Sequence, residues 1–199
     1  MTKSQAPART RDGTATRARI EREALRLFAH NGVEGTSIRD LSLAVGVADA
    51  ALYRHFASKE DIARVLFCTH YRAIAAQIES VGQRGGSFED IARGLVDVLC
   101  TLFDEEQDVF SFVLLNQHAH LRFVPAEGNV VASLRGILER AHAAGDISIA
   151  DPDLASAMAL GAVLQPAVFK LYGRLPGPMR RLAPEMTRAV LRVLGARAA

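Results

Sequence analysis

The chain has 199 residues, of which 49% are hydrophobic and 23% charged, and its formal net charge is +2. Those proportions fit one globular body, or a small domain joined to a larger one, and exclude a disordered or fibrous chain. Reading no apolar run as approaching the roughly 18 residues of a membrane span, and no apolar stretch in the Arg-rich opening MTKSQAPARTRDG, we expect a cytoplasmic protein with no membrane partner.

Charge is gathered at one end. Residues 1–20 hold five basic side chains (Lys3, Arg9, Arg11, Arg17, Arg19) against Asp12, whereas residues 61–199 hold 14 basic and 15 acidic ones. Residues 1–14 therefore read as a flexible basic tail, either a solubilising arm or one that touches a polyanion. Ile20, Ala24, Leu27 and Phe28 then recur at helical spacing and Asn31-Gly32 supplies a stop, which predicts a first helix from about Thr16 to His30. Ser37-Ile38-Arg39-Asp40 has the form of a capping box and opens a second helix with Ile38, Leu41 and Val45 on one face. Gly46 breaks that period, a short helix turns Leu52 and Phe56 inward, and Ser58-Lys59-Glu60-Asp61 has the form of a second capping box. Two short helices about a Gly turn form a helix-turn-helix candidate.

Beyond residue 58 the periodicity stays helical, with helices predicted at about 59–80, 88–104, 107–122, 127–144, 152–173 and 178–196. Asp151-Pro152 is an N-cap followed by proline at the first helical position. The fold expected is all-α. Cys68 and Cys100 lack CxxC spacing and read as buried free thiols. His118 and His120 lie two apart on a helix, about 200° round its axis, so they cannot chelate one metal ion. Asp104, Glu105, Glu106 and Asp108 read as a solvated helix junction, and no P-loop, GxSxG or HExxH is present, so neither an enzyme nor a cofactor is expected.

In a helix-turn-helix the second short helix enters the major groove while the first crosses the backbone. Tyr53 and His55 can then donate to phosphate oxygens, Lys59 adds positive charge, and Thr36 and Ser37 offer hydroxyls and N–H groups at a helix start. Taken singly, each has a structural reading as packing or cap; their arrangement carries the functional one. Phe28-Ala29, Gly32, Gly35-Thr36-Ser37, Ile38-Arg39-Asp40-Leu41, Val45-Gly46-Val47, Leu52-Tyr53-Arg54-His55-Phe56 and Ser58-Lys59-Glu60 together resemble the DNA-binding domain of the tetracycline-repressor (TetR) family of transcriptional regulators.

The resemblance implies about nine helices, in a helix-turn-helix domain at 15–58 and a ligand-binding and dimerising domain at 59–199. It assigns phosphate contacts to Thr36, Ser37, Tyr53, His55 and Lys59, a base or phosphate contact to Arg39, and the groove-facing positions to Asp49, Ala50 and Ala51. Where the family often has Ser, this chain has Ala48-Asp49, so Asp49 either caps the helix or accepts from a base donor; capping is the expectation. In the C-terminal body Phe67, Tyr71, Phe103, Phe110, Leu114, Met158 and Phe169 are the candidate pocket wall, with His118 and Gln165 as polar handles. The last two helices carry apolar residues at Leu154, Met158, Ala162 and Phe169, and at Met179, Leu182, Met186, Val190 and Val193. They can pack within the chain or against a second copy; the resemblance favours a homodimer on a palindromic double-stranded operator. The expected function is a repressor released by a small, largely apolar molecule. The alternative is a helical enzyme or protein-interaction module with a degenerate helix-turn-helix.

Overall fold

The computed structural model describes residues 8–125 and 128–196, without the side chains of residues 8–12. The described residues form nine α-helices and no strand: α1 Ala8–Asn31, α2 Ile38–Val45, α3 Asp49–Tyr53, α4 Lys59–Gly82, α5 Phe88–Glu105, α6 Gln107–His120, α7 Val130–Ala144, α8 Pro152–Leu171 and α9 Ala183–Val193. Helix α1 starts at Ala8 rather than near Thr16, because Ala and Arg are good helix formers and no proline lies in this stretch. The tail predicted over residues 1–14 is thus partly the first turns of α1; Lys3 lies outside the described residues.

Local chemistry sets most of the boundaries. Ser37 accepts from the Asp40 N–H while the Asp40 carboxylate takes the Ser37 N–H at 2.8 Å, a complete capping box. The second box is only half formed: Ser58 accepts from the Asp61 N–H, but the Asp61 carboxylate takes the Ala57 N–H instead. Gly46 adopts φ 73°, a left-handed conformation that turns the chain from α2 towards α3. Asp151 caps α8, with Pro152 at its start.

Helix α4 is central, packing against α1, α5, α6 and α7, and α9 lies on α5 and α8. One buried core runs from Ile20 to Leu194 without a break at the foot of α4, and Phe28 of α1 stacks on Phe112 of α6 at 6.0 Å. The acidic junction is less solvated than expected. Asp104 accepts from the backbone N–H groups of Met179 and Arg180 at 2.7 and 3.0 Å, tying α5 to the short 3-10 turn before α9. Cys100 is buried but Cys68 is only half-buried.

Helix α8 corrects another expectation. Its 20 residues, with a mean hydropathy of 1.5 over the most apolar window, are long and apolar enough to cross a membrane by length and composition, and only 28% of that window is buried. The apolar composition serves two faces. Ala155, Ala159, Val163 and Ala167 enter the core, while Leu154, Met158, Phe169 and, just beyond, Tyr172 stay exposed.

Candidate nucleic-acid interface and apolar cavities

Leu41, Val45, Leu52 and Phe56 bury one side of α2 and α3 against Ile20, Ala24 and Phe28 of α1. Arg17 reinforces this junction by lying over the Phe56 ring, 4.3 Å from its centre, and donating to the His55 carbonyl at 3.3 Å. Arg19 donates to the Val45 carbonyl at 2.6 Å, at the C-terminal end of α2. What remains outward on α3 is Asp49, Ala50 and Tyr53, the last 55% exposed. Ala51 is not among them: α3 turns it into the core, so the predicted groove-facing role fails by about a hundred degrees of helix rotation.

The other predicted contacts divide by what already occupies them. Thr36 is buried and its hydroxyl donates to the Gly32 carbonyl at 2.9 Å, which makes its side chain a clamp on the α1–α2 turn rather than a free hydroxyl. Ser37 is exposed, but its N–H and hydroxyl both donate to Asp40, which holds that carboxyl below the usual carboxylate range. Lys59 is largely covered and lies 4.0 Å from both Glu34 and Glu60. His55 is half-buried at the end of the motif. Arg39 is exposed and makes no ion pair among the described residues. Neither does Arg54, exposed at the end of α3 and absent from the set chosen on sequence; its charge beside Tyr53 was the available signal.

Asp49 does not cap α3. The cap position of α3 is Ala48, which offers no side-chain bond, and the Asp49 carboxylate instead accepts the Ser42 hydroxyl at 2.5 Å. This bond spans seven residues and joins α2 to α3 across the Gly46 turn. Capping spacing could not reveal it, because it depends on the angle between the helices.

In the body, one cavity of about 80 Å³ is lined by Tyr71, Leu102, Phe110, Leu114, Gln117 and Val131, among others. Three of the predicted wall residues therefore meet: Tyr71, Phe110 and Leu114. Phe67 and Phe103 back it from the core, Phe67 stacked on Tyr71 at 5.2 Å and Phe103 edge-on to Phe110 at 5.2 Å. His118, Met158, Gln165 and Phe169 do not line it; all four are exposed. The polar handle is Gln117, one residue before the histidine favoured on sequence. A second cavity of about 40 Å³ lies among α4, α5, α7, α8 and α9, lined only by apolar side chains. Between the helix-turn-helix and the body an open cleft of about 680 Å³ runs past Gly32, Arg64 and Arg122 to His120. The His120 ring lies tilted against that of Phe67, centroids 5.4 Å apart, and its Nδ1 is buried without a partner among the described residues. Among the described residues no three potential ligands cluster to hold a metal ion.

Comparison with known proteins agrees with this architecture. A sequence model of the bacterial regulatory proteins of the tetR family matches residues 20–66, the segment from α1 into α4. The HTH-type transcriptional regulator TcmR of Streptomyces glaucescens is 39% identical over 64 residues, which cover 32% of this chain and only 28% of TcmR. The TetR family transcriptional regulator PfmR from Thermus thermophilus superposes with a TM-score of 0.70 at 25% identity, over 87% of this chain and 97% of PfmR. The transcriptional regulator FadR from Bacillus subtilis, solved in complex with stearoyl-CoA, shares the fold at a TM-score of 0.71 and 19% identity, over 90% of this chain and 99% of FadR.

Proposed function

We propose that the chain is a member of the TetR family of bacterial regulatory proteins, a ligand-responsive, DNA-binding transcriptional repressor acting in the cytoplasm. The observation that carries this reading is the outward face of α3. Asp49, Ala50 and Tyr53 project from a short helix locked to its neighbours, flanked by the exposed cations Arg39 and Arg54, within the segment that matches the family. Tyr53, Arg39 and Arg54 hold phosphates, the Ser37 helix start adds an N-terminal dipole, and Ala50 is small enough to bring α3 close to the groove floor. Lys59 contributes to the local potential while shared with Glu34 and Glu60.

The repressor acts as a homodimer on a palindromic operator. Leu154, Met158, Gly161, Gln165, Phe169 and Tyr172 are all exposed at spacings of three or four, a continuous stripe along α8 and just past its end. Two such stripes pair about a twofold axis, which sets two reading helices about 34–36 Å apart, one turn of DNA. The effector is a small, largely apolar molecule in the cavities of the body; that FadR, of the same fold, holds stearoyl-CoA supports such an occupant. Neither cavity approaches the roughly 300 Å³ of a drug-sized site, so binding must move helices, and that movement is the signal.

The test is a titration of the purified chain against DNA from upstream of its own gene over a range of salt concentrations. Binding should weaken steeply with salt and prefer that DNA over a scrambled duplex. Tyr53→Phe should weaken binding to both duplexes alike, and Arg54→Ala should also reduce the salt slope by about one. Binding indifferent to both salt and sequence would overturn the reading.

A further inference from the structure

The two apolar cavities of the body lie end to end. Leu99 of α5 and Leu160 of α8 belong to both linings, and the lining advances in register along each helix. On α4 it passes from Tyr71 to Ile78, on α5 from Leu102 through Leu99 to Phe88, and on α7 from Val130 to Leu138. From Leu102 to Phe88, α5 rises about 21 Å at 1.5 Å per residue. The two ends differ chemically. The lining at the α6 end includes Tyr71, Gln117 and the partly exposed Val131, whereas the α9 end is closed by Val190 and Leu194 and is wholly apolar. No charged side chain lines either cavity.

We propose that these cavities are one channel interrupted by Leu99 and Leu160, and that its ligand is a long unbranched acyl chain carried as an ester or thioester rather than as a free acid. Helices must give way to any occupant, but an unbranched chain, one methylene wide, asks for the least movement and passes the constriction once two leucines change rotamer, whereas a fused-ring molecule would have to part α5 from α8 much further. A carboxylate at the head would be buried with no counter-charge, which is costly. An ester carbonyl asks only for a hydrogen bond. The Tyr71 hydroxyl can give it, because its present contact with Asn129 Oδ1 is long at 3.5 Å and burial holds the phenol protonated. The carrier then leaves past Val131 to the surface. This inference rests on the reading of the body as the effector domain.

The probes are the N-acetylcysteamine thioesters of octanoic, dodecanoic and hexadecanoic acid and the three free acids, titrated into the full chain by calorimetry. Thioester affinity should rise with length, up to about fourfold for each methylene that enters apolar surroundings. Each free acid should bind at least about tenfold more weakly than its thioester. Ala159→Leu fills only the α9 end, so it should abolish the advantage of hexadecanoyl over octanoyl while leaving octanoyl binding unchanged. If that variant does not fold, Leu160→Ala serves: by removing half the constriction it should increase the hexadecanoyl-to-octanoyl ratio. Equal affinity for short and long thioesters, or free acids as tight as thioesters, would overturn the proposal. If a compact ring compound bound and released DNA while tail length had no effect, the acyl channel would fall and the effector reading would stand. If no apolar compound of any shape bound the folded chain, the effector reading itself would fall, and the channel with it.

Discussion

At the scale of single residues, the functional surface is decided by which polar groups are already engaged. Hydroxyls and carboxylates at helix starts suit phosphate, cap or base contacts, which is why sequence points to Thr36 and Asp49; both are instead bonded within the protein. Sequence spacing shows a residue's neighbours along a helix but not those across a turn, so the Ser42–Asp49 bond was illegible while the Ser37–Asp40 box was plain. Asp49→Asn keeps an oxygen for the Ser42 hydroxyl and removes a negative charge from the proposed DNA face. The expected outcome is tighter operator binding with unchanged base preference and a melting temperature within a few degrees of the parent, measured by anisotropy on operator variants and by thermal denaturation. A selective loss at one cytosine position would restore the base-reading role. His120 bears on stability. Burial lowers its pKa, with Arg122 and Arg64 adding to the effect, so the folded state resists the proton that the unfolded chain accepts near the ordinary histidine value. Its stabilising contribution is thus complete above about pH 6.5 and is lost as pH falls towards the lower folded value. His70, lowered chiefly by burial, acts in the same sense. Denaturant titrations should therefore show stability falling as pH drops from neutral, and His120→Leu should flatten part of that slope; an unchanged slope would exclude His120 as a contributor.

At the scale of elements, helix starts and stops were legible because they depend on local chemistry: the Ser37 box, the left-handed Gly46 and the Asp151-Pro152 pair each act within a few residues. Which side of a helix remains free was not legible, because that depends on what packs against it. Helices α8 and α9 look alike in sequence as apolar surfaces for a second copy. In the folded chain α9 commits Met186 and Val190 to its own core, with Met179 of the preceding turn, and only α8 retains a broad exposed apolar stripe. For the same reason Met158 and Phe169, read as pocket wall, face away from the cavity, roughly a hundred degrees round α8 from Ala159 and Val163. A pairing surface and a pocket wall have the same composition and differ only in the angle around the helix axis. Replacing Met158 and Phe169 together by Glu should therefore yield a folded monomer, because the two side chains contribute nothing to the core. Sedimentation should show half the parent mass with unchanged helical content, and operator affinity should fall sharply because one reading head remains per particle. A double variant that still sediments as a dimer would place the interface elsewhere.

At the scale of the whole molecule, the helix-turn-helix and the body share a core, so a ligand in the cavities can reach the DNA face through packed side chains. Helix α4 begins beside α3 and presents Tyr71 and Ile74 to one cavity. A second route was not visible in the sequence. Helix α6 lines the same cavity with Phe110, Val113, Leu114 and Gln117, and from its other side Phe112 stacks on Phe28 of α1. An occupant that pushes α6 outward shifts α1, and with it the α2–α3 unit that α1 carries, while α4 tilts. The cleft past Gly32, Arg64 and His120 gives the head room to turn. For such a switch, the factor by which ligand weakens DNA binding must equal the factor by which DNA weakens ligand binding, and couplings of about 1–3 kcal/mol are typical. Phe112→Leu keeps an apolar side chain in the core but removes the ring that bears on Phe28. Its expected effect is specific: affinities for ligand alone and for DNA alone stay within about twofold of the parent, while the coupling factor, measured from both arms of the cycle, falls severalfold. A coupling factor equal to the parent's would assign transmission to α4 alone, and a loss of DNA affinity without ligand would mean that the Phe28–Phe112 stack sets the resting position of the head rather than its response.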